Sequence, residues 1–298
     1  MKRKILFRGT GTALITPFKR GGGLDERALK DLVDFQLEGK VEAILPTGTT
    51  GESVTLTETE QARVIEIVAK RVNGKIPVIA GAGSNSTQKA IALSKLALKA
   101  GADGILSVSP YYNKPTQEGL FRHFAAIADA VDAPLIVYNV PGRTSGNIEA
   151  HTTLRMAEEI PTIAGIKEAS GNFSQIMEIL RSRPEGFSVW SGDDAITLPL
   201  VALGSDGVVS VVSNQVPHLF SEMVRHCLRG NFEQAAAIHF KLLPLMNINF
   251  IESNPIPVKA TLAMMGMIEE VYRLPLVPLS DKHRPALKII ARELNLVK

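Results

Sequence analysis

One lysine stands where the surrounding sequence is otherwise apolar. Lys167 follows Ile163-Ala164-Gly165-Ile166, a short run that is typical of a buried strand. An ammonium ion is poorly solvated in such a place, so we expect the pKa of Lys167 to fall toward neutrality. A neutral amine can attack a ketone and form a protonated imine, from which an enamine can form. The alternative is a strand-end lysine whose charged head extends to solvent, and the local sequence favours neither.

Two tyrosines and a threonine are candidates for moving protons around this amine. Tyr112 and Tyr138 lie near the ends of two predicted strands, and Thr49 lies in a loop that Gly48 and Gly51 flank. Phenol hydroxyls can carry protons to and from a carbinolamine, and glycines let backbone N–H groups approach a carboxylate closely. The alternative for each tyrosine is an ordinary half-buried aromatic side chain. The two tyrosines together with this loop favour proton transfer.

Two further basic residues have candidate roles. Arg143 follows the predicted fifth strand, where its planar guanidinium can grip a carboxylate; an ordinary surface arginine is the alternative. Lys259 is a rival nucleophile. It follows Pro257 and is expected in the first turn of a helix, where access to solvent would keep it charged. We therefore rank Lys167 far above Lys259.

Composition and charge argue against several other classes of protein. The formal net charge is +3 and no Lys/Arg block is long enough to follow phosphates, so no nucleic-acid partner is expected. The glycine pattern that begins at Gly81 lacks the third glycine of a dinucleotide fingerprint, and the six histidines show no metal-ligand spacing. We therefore expect no cofactor and no metal. One cysteine, no export signal and no apolar run of about 18 residues predict a cytoplasmic protein without a membrane partner.

The elements that must position these residues repeat about every 30 residues as a short apolar strand followed by an amphipathic helix. Such strands are covered on both faces, so we predict an α/β fold, the (β/α)8 TIM barrel, over residues 1–230; an open doubly wound sheet is the alternative. Residues 231–298 are predicted to form a C-terminal helical region, with helices at 232–243, 257–265 and 284–294. The predicted strands span residues 10–15, 41–45, 77–80, 104–108, 135–138, 163–167, 188–191 and 207–211.

Six segments together resemble one enzyme family, the 4-hydroxy-tetrahydrodipicolinate synthases, also called dihydrodipicolinate synthases. The resemblance extends from Gly9 to Lys259 in the correct order and spacing. It implies a barrel enzyme without a cofactor, in which pyruvate condenses with Lys167 and the enamine adds to L-aspartate 4-semialdehyde, in lysine and diaminopimelate synthesis. The segments are Gly-Thr-Thr-Gly-Glu at 48–52, Pro-Tyr-Tyr-Asn at 110–113, Tyr-Asn-Val-Pro-Gly-Arg-Thr at 138–144, Gly-Ile-Lys-Glu at 165–168, Ser-Gly-Asp-Asp at 191–194 and Asn-Pro-Ile-Pro-Val-Lys at 254–259.

The resemblance also implies roles for individual residues. Thr49, Tyr138 and Tyr112 would form a proton relay, with Tyr112 reaching into the site of a neighbouring subunit. The family's usual assembly is a homotetramer built from tight dimers.

Substrate binding is implied in the same way. Thr50 would help to hold the pyruvate carboxylate, Arg143 the semialdehyde carboxylate, and the Val209 carbonyl would face the lysine amine. Arg143 and the paired tyrosines separate this family from the related lyases of N-acetylneuraminate and of keto-deoxy sugar acids, which are the alternative enzymes. A non-catalytic keto-acid-binding protein on the same scaffold is the remaining alternative.

The chain departs from the family at the pocket that binds lysine as an inhibitor in some members. Three residues that match this pocket are retained, Ser53, Asn85 and Tyr111. Two histidines and a glutamate are replaced, and the chain has Glu58, Gln61 and Lys89 at these positions.

Lysine at millimolar concentration is expected to inhibit this chain weakly or not at all. Lys89 removes a carboxylate partner for the amino groups of lysine and adds a repulsive charge. Activity measured over a lysine titration tests this. Loss of activity at millimolar lysine would refute the prediction.

Overall fold

The computed structural model describes residues 5–298, so the first four residues of the predicted barrel segment lie outside the described residues. Eight parallel strands, β1 to β8 in chain order, form one sheet. Each strand has bounds within two residues of those predicted. The strands are Gly9–Ala13, Ala43–Leu45, Ile79–Gly81, Gly104–Val108, Leu135–Asn139, Ile163–Glu168, Ser188–Ser191 and Gly207–Ser210.

The sheet closes on itself. Neighbouring strands pair in the order β2-β1-β8-β7-β6-β5-β4-β3, and the two ends of this series also meet. A parallel bridge joins Ile44 of β2 to Val78, and the Ile44 amide donates to the Pro77 carbonyl at 3.1 Å. The predicted (β/α)8 barrel is therefore confirmed, and the open doubly wound sheet is wrong.

Helices surround the barrel and begin where the sequence places caps. Before α2, the Thr57 hydroxyl accepts from the Glu60 amide while the Glu60 carboxylate accepts from the Thr57 amide. These reciprocal bonds form a capping box from Thr57 and Glu60. Ile65, Val68 and Val72 form the buried face of the same helix. The helices up to residue 230 are α1 Glu26–Glu38, α2 Glu58–Val72, α3 Thr87–Lys99, α4 Gln117–Ala130, α5 Pro141–Thr144, α6 Ala150–Glu159, α7 Phe173–Ser182, α8 Thr197–Ala202 and α9 Pro217–Leu228.

Strand alternation decides which side chains enter the barrel. In β5, Tyr138 belongs to the hydrophobic cluster inside the barrel, whereas its neighbour Val137 packs against the surrounding helices. Lys167 is the register partner of Tyr138 on the adjacent strand β6 and therefore also faces inward. Deeper in the barrel, Phe7 stacks on Trp190 with their ring centroids 4.9 Å apart. The interior is thus filled below the carboxyl ends of the strands, where the polar groups lie.

Three helices follow the barrel: α10 Phe232–Ile248, α11 Ile256–Met264 and α12 Arg284–Glu293. The predicted end of the first at residue 243 is wrong, because α10 continues through Pro244. Burial of Leu245 and Met246 favours the longer helix despite the hydrogen bond that a proline removes. Residues of α9, α10 and α12 share one hydrophobic cluster, so the division at residue 230 stays a prediction. No helix in residues 5–298 has the length and apolarity that a bilayer crossing requires.

The turn before β8 provides a test of barrel packing. Gly204 and Gly207 both have positive φ, 103° and 142°, but a Cβ at Gly207 would lie 1.9 Å from the Gly9 carbonyl oxygen, whereas one at Gly204 would meet nothing within 4 Å. Gly204→Ala should lower the free energy of unfolding by about 1–2 kcal/mol through backbone strain. Gly207→Ala should lower it by about 3 kcal/mol or more, because overpacking adds to strain. Urea unfolding measures both, and equal losses would contradict the steric account.

Candidate active site

A cavity of about 520 Å³ opens at the carboxyl ends of the barrel strands. Catalytic sites of this fold are found at that end, because the strand-to-helix loops converge there. The strands and their following loops bring together five of the residues with predicted catalytic or substrate-binding roles. The cavity is lined by Thr49, Thr50, Tyr138, Arg143 and Lys167.

Lys167 is buried at the wall of this cavity, with a relative exposure of 6%. The alternative in which its charged head reaches solvent is therefore wrong. Burial lowers the pKa of Lys167 to about 7, an effect that the Asp194 carboxylate opposes and the Arg143 guanidinium reinforces. The Lys167 Nζ lies 4.1 Å from the ring centroid of Tyr138. A substantial share of this amine is thus neutral near pH 7, as the sequence predicts.

Tyr138 lies beside the lysine, and its phenol interacts with Thr49. Burial raises the pKa of Tyr138 to about 12, and both the Arg143 charge and the hydrogen bond with Thr49 oppose the rise. The phenol therefore keeps its proton at neutral pH and can donate it. The Thr49 hydroxyl beside Tyr138 is a group through which a proton can be relayed.

The loop that carries Thr49 and Thr50 has a constrained backbone. Thr47 and Glu52 at its two ends both have positive φ, 55° and 52°. The Thr47 hydroxyl lies within hydrogen-bonding distance of the carbonyls of Pro46 and Gly81, at 2.8 and 3.0 Å, which ties the loop to the ends of β2 and β3. Such backbone conformations persist only where surrounding contacts hold them.

A buried ion pair holds the far end of this loop. Lys259 in α11 donates to the Glu52 carboxylate, and both side chains have 0% exposure. The expectation that solvent keeps Lys259 charged is therefore wrong, because helix α11 lies in the interior. Burial lowers the pKa of Lys259 while the Glu52 carboxylate opposes the fall. The Lys259 Nζ also lies 4.5 Å from the ring centroid of Phe18. The pairing makes Lys259 a structural residue.

Asn254 connects the two predicted carboxylate-binding residues. Its side-chain amide donates to the Thr50 hydroxyl at 2.9 Å, and its backbone carbonyl accepts from the Arg143 guanidinium at 3.3 Å. Asn254 lines the cavity, and its relative exposure is 5%. Its Oδ1 is buried without a hydrogen-bond partner among the described residues.

Two residues with predicted catalytic or substrate-binding roles do not line the cavity. Tyr112 has 90% of its side chain exposed and is not among the described residues that line the cavity. Val209 is buried inside the barrel in β8 and does not line the cavity either; Val211 does. Their assigned roles stay predictions.

The predicted inhibitor pocket is a branch of the same cavity. Ser53 and Tyr111 line it together with the three substituted residues Glu58, Gln61 and Lys89. Asn85 does not line it; its carbonyl accepts from the side chain of Asn113. Lys89 thus lies where the weak-inhibition prediction places it. Among residues 5–298 no cluster of three or more His, Cys, Asp or Glu side chains is arranged to hold a metal.

Comparison with known proteins identifies the family. Residues 6–294 match the dihydrodipicolinate synthetase family. The chain belongs to this family. A 4-hydroxy-tetrahydrodipicolinate synthase from Chlorobium phaeobacteroides is 53% identical over 289 residues, which is 97% of this chain and 98% of the relative. As a member of the dihydrodipicolinate synthetase family, the protein is an enzyme and a lyase.

Solved structures of the same family have the same fold. The dihydrodipicolinate synthase of Thermotoga maritima has a TM-score of 0.96 and 47% identity, with 98% of this chain and 100% of that chain covered. The chloride-inhibited dihydrodipicolinate synthase of Acinetobacter baumannii, solved in complex with pyruvate, has a TM-score of 0.95 and 43% identity, with the same coverage.

Sequence reasoning missed the site roles of Asp194 and Asn254. In the sequence, Asp194 stands out only as part of the family segment at 191–194, but in the structure one of its oxygens accepts from the Val211 and Val212 amides at 3.0 and 2.8 Å. Burial raises its pKa to about 6, and its charge raises the pKa of Lys167. An adjacent pair of acids at a strand end was the available signal. For Asn254 no local signal existed, since Thr50 lies 204 positions away.

Breaking the buried ion pair should destabilise the protein strongly. Lys259→Met leaves the Glu52 carboxylate buried without its partner, which costs about 3–5 kcal/mol. The double variant Lys259→Met with Glu52→Gln carries no buried charge and should recover about half of this loss. Urea unfolding of both variants and the parent measures the difference. Equal stability of the single and double variants would show that the charge of Lys259 does not compensate the buried charge of Glu52.

Proposed function

We propose that Lys167 forms a Schiff base with pyruvate and that the resulting enamine adds to L-aspartate 4-semialdehyde, which is the 4-hydroxy-tetrahydrodipicolinate synthase reaction. The observation that carries the proposal is the buried amine with a pKa of about 7 on the wall of the cavity. Family membership and the pyruvate-bound relative support pyruvate as the first substrate. The reaction would serve lysine and diaminopimelate synthesis in the cytoplasm.

The proposed reaction begins with attack of the neutral Lys167 nitrogen on the keto carbon of pyruvate. The Tyr138 phenol, whose pKa is about 12, supplies a proton to the hydroxyl that leaves as water. The protonated imine that remains draws electrons from the methyl group, which loses a proton to the Tyr138 phenolate left by the previous step and becomes the enamine carbon. Thr49, which interacts with the phenol, relays protons to and from Tyr138.

In the second half of the reaction, the enamine carbon attacks the aldehyde carbon and forms the new carbon–carbon bond, and the aldehyde oxygen takes a proton from the Tyr138 phenol. The amino group of the semialdehyde then attacks the imine carbon, closes the ring and displaces the Lys167 amine. The nitrogen of Lys167 is thus returned to its initial state.

Two carboxylate groups have to be held during these steps. We assign the pyruvate carboxylate to Thr50 and the semialdehyde carboxylate to Arg143, with the Val209 carbonyl near the amine. Thr50 and Arg143 line the cavity, which supports these roles. A guanidinium suits a carboxylate because its planar fork donates two parallel hydrogen bonds. Arg143 also favours this reaction over the cleavage of neuraminate or keto-deoxy sugar acids.

The proposed assembly is a homotetramer in which Tyr112 completes the relay in a neighbouring subunit. The exposure of Tyr112 supports a partner at that surface. Val54, which lines the cavity, is also exposed, at 82%. Large apolar side chains at the rim of a cavity are typical of surfaces that a second protein chain covers.

Borohydride reduction in the presence of pyruvate should trap an adduct on Lys167, located by peptide mass mapping. Below pH 7 the trapping rate should rise about tenfold per pH unit, and above pH 7 it should level off, because only the neutral amine attacks.

Two variants serve as controls for this experiment. Lys167→Ala should show no adduct. Lys89→Ala, which removes an exposed lysine of the same cavity, should be trapped like the parent. An adduct on another lysine, or none in the parent protein, would overturn the proposal.

A further inference from the structure

We propose that Asn254 is a positioning residue that orients the Thr50 hydroxyl through its side chain and anchors the Arg143 guanidinium through its backbone carbonyl. The inference rests on the proposed function, because it assigns Thr50 and Arg143 to the two substrate carboxylates. One residue between α10 and α11 would thereby connect the two substrate positions from outside the barrel strands.

The side-chain contact determines the direction of the Thr50 hydroxyl. A hydroxyl has a single hydrogen to donate. Since Thr50 Oγ1 accepts from the Asn254 amide at 2.9 Å, its own hydrogen stays available for another acceptor. Thr50 lines the cavity and is otherwise buried, so the acceptor on that side is a group inside the cavity. A carboxylate of the substrate accepts such a bond more strongly than a neutral oxygen does.

The backbone contact acts on a different group. Arg143 follows β5 in the short helix α5, and its exposed side chain is held at the cavity by the Asn254 carbonyl at 3.3 Å. This contact belongs to the main chain, so a side-chain substitution at Asn254 leaves it in place. The two contacts can therefore be separated by mutation.

The Asn254 amide makes its side-chain hydrogen bond through its nitrogen, which donates to Thr50, while its Oδ1 is buried. The atom has no hydrogen-bond partner among the described residues, although burial of an unpaired acceptor is unfavourable. The donor to Thr50 explains why an amide stands here rather than an apolar residue.

Asn254→Ala should raise the pyruvate concentration for half-maximal borohydride trapping of Lys167 about tenfold. This change corresponds to about 1.4 kcal/mol of binding free energy. The KM for the semialdehyde should change much less, because the carbonyl that anchors Arg143 remains. Asn254→Leu, which restores volume but no donor, should behave like Asn254→Ala. If Asn254 only filled space, the leucine variant would recover pyruvate binding.

Two comparisons separate orientation of Thr50 from a loss of stability. The double variant Asn254→Ala with Thr50→Ala should match Thr50→Ala alone, since Asn254 acts through that hydroxyl; additive losses would overturn the inference. Asn249 is a matched control, because its buried amide pairs with Gln215 and lies outside the cavity lining. Asn249→Ala should lower the thermal midpoint and leave the trapping concentration unchanged.

The experiment also distinguishes failure of the inference from failure of the proposed function. If the parent protein forms no adduct on Lys167, the proposed function fails. If the parent is trapped and the Asn254 variants have the same half-maximal pyruvate concentration, the proposed function stands and the positioning role is wrong.

Discussion

Removal of water from the Lys167 nitrogen is the condition on which the chemistry of this barrel depends. The nitrogen is placed inside because strand β6 alternates its side chains between the interior and the helices. Burial then disfavours the ammonium form, while the nearby Asp194 carboxylate limits the effect. The balance leaves the pKa of the amine at about 7, so near neutral pH both its nucleophilic and its protonated forms are accessible. Tyr138, buried in the same wall, keeps its proton under these conditions.

The loop between β2 and α2 presents its threonines from a backbone that has unfavourable conformations at both ends. Positive φ values at Thr47 and Glu52 need support from elsewhere. The Gly81 carbonyl supports one end, and Lys259 pairs with Glu52 at the other. The helices after the barrel are therefore part of the site, although none of their residues is in the proposed covalent chemistry. Asn254 extends this support to the substrate side of the loop.

Much of the barrel could be predicted from local patterns. The strand that carries Lys167 was placed correctly to within one residue, because apolar runs depend on residues close in sequence. The end of α10 was predicted wrongly. Pro244 is a local signal for the end of a helix, but burial of Leu245 favours its continuation. Lys259 was misjudged for a related reason. Its position in a first turn is local, but its burial comes from the barrel around it.

The sequence by itself determined the family, the eight strand-and-helix units and the identity of the amine, since each depends on residue types at fixed spacings. Tertiary structure alone decided which groups meet. Closure of the barrel through Ile44 and Val78 brings distant loops to one rim, and helix α11 carries its lysine to a carboxylate 207 positions away. Contacts of this kind depend on the summed packing of the whole chain. No pattern within a single segment of the sequence records them.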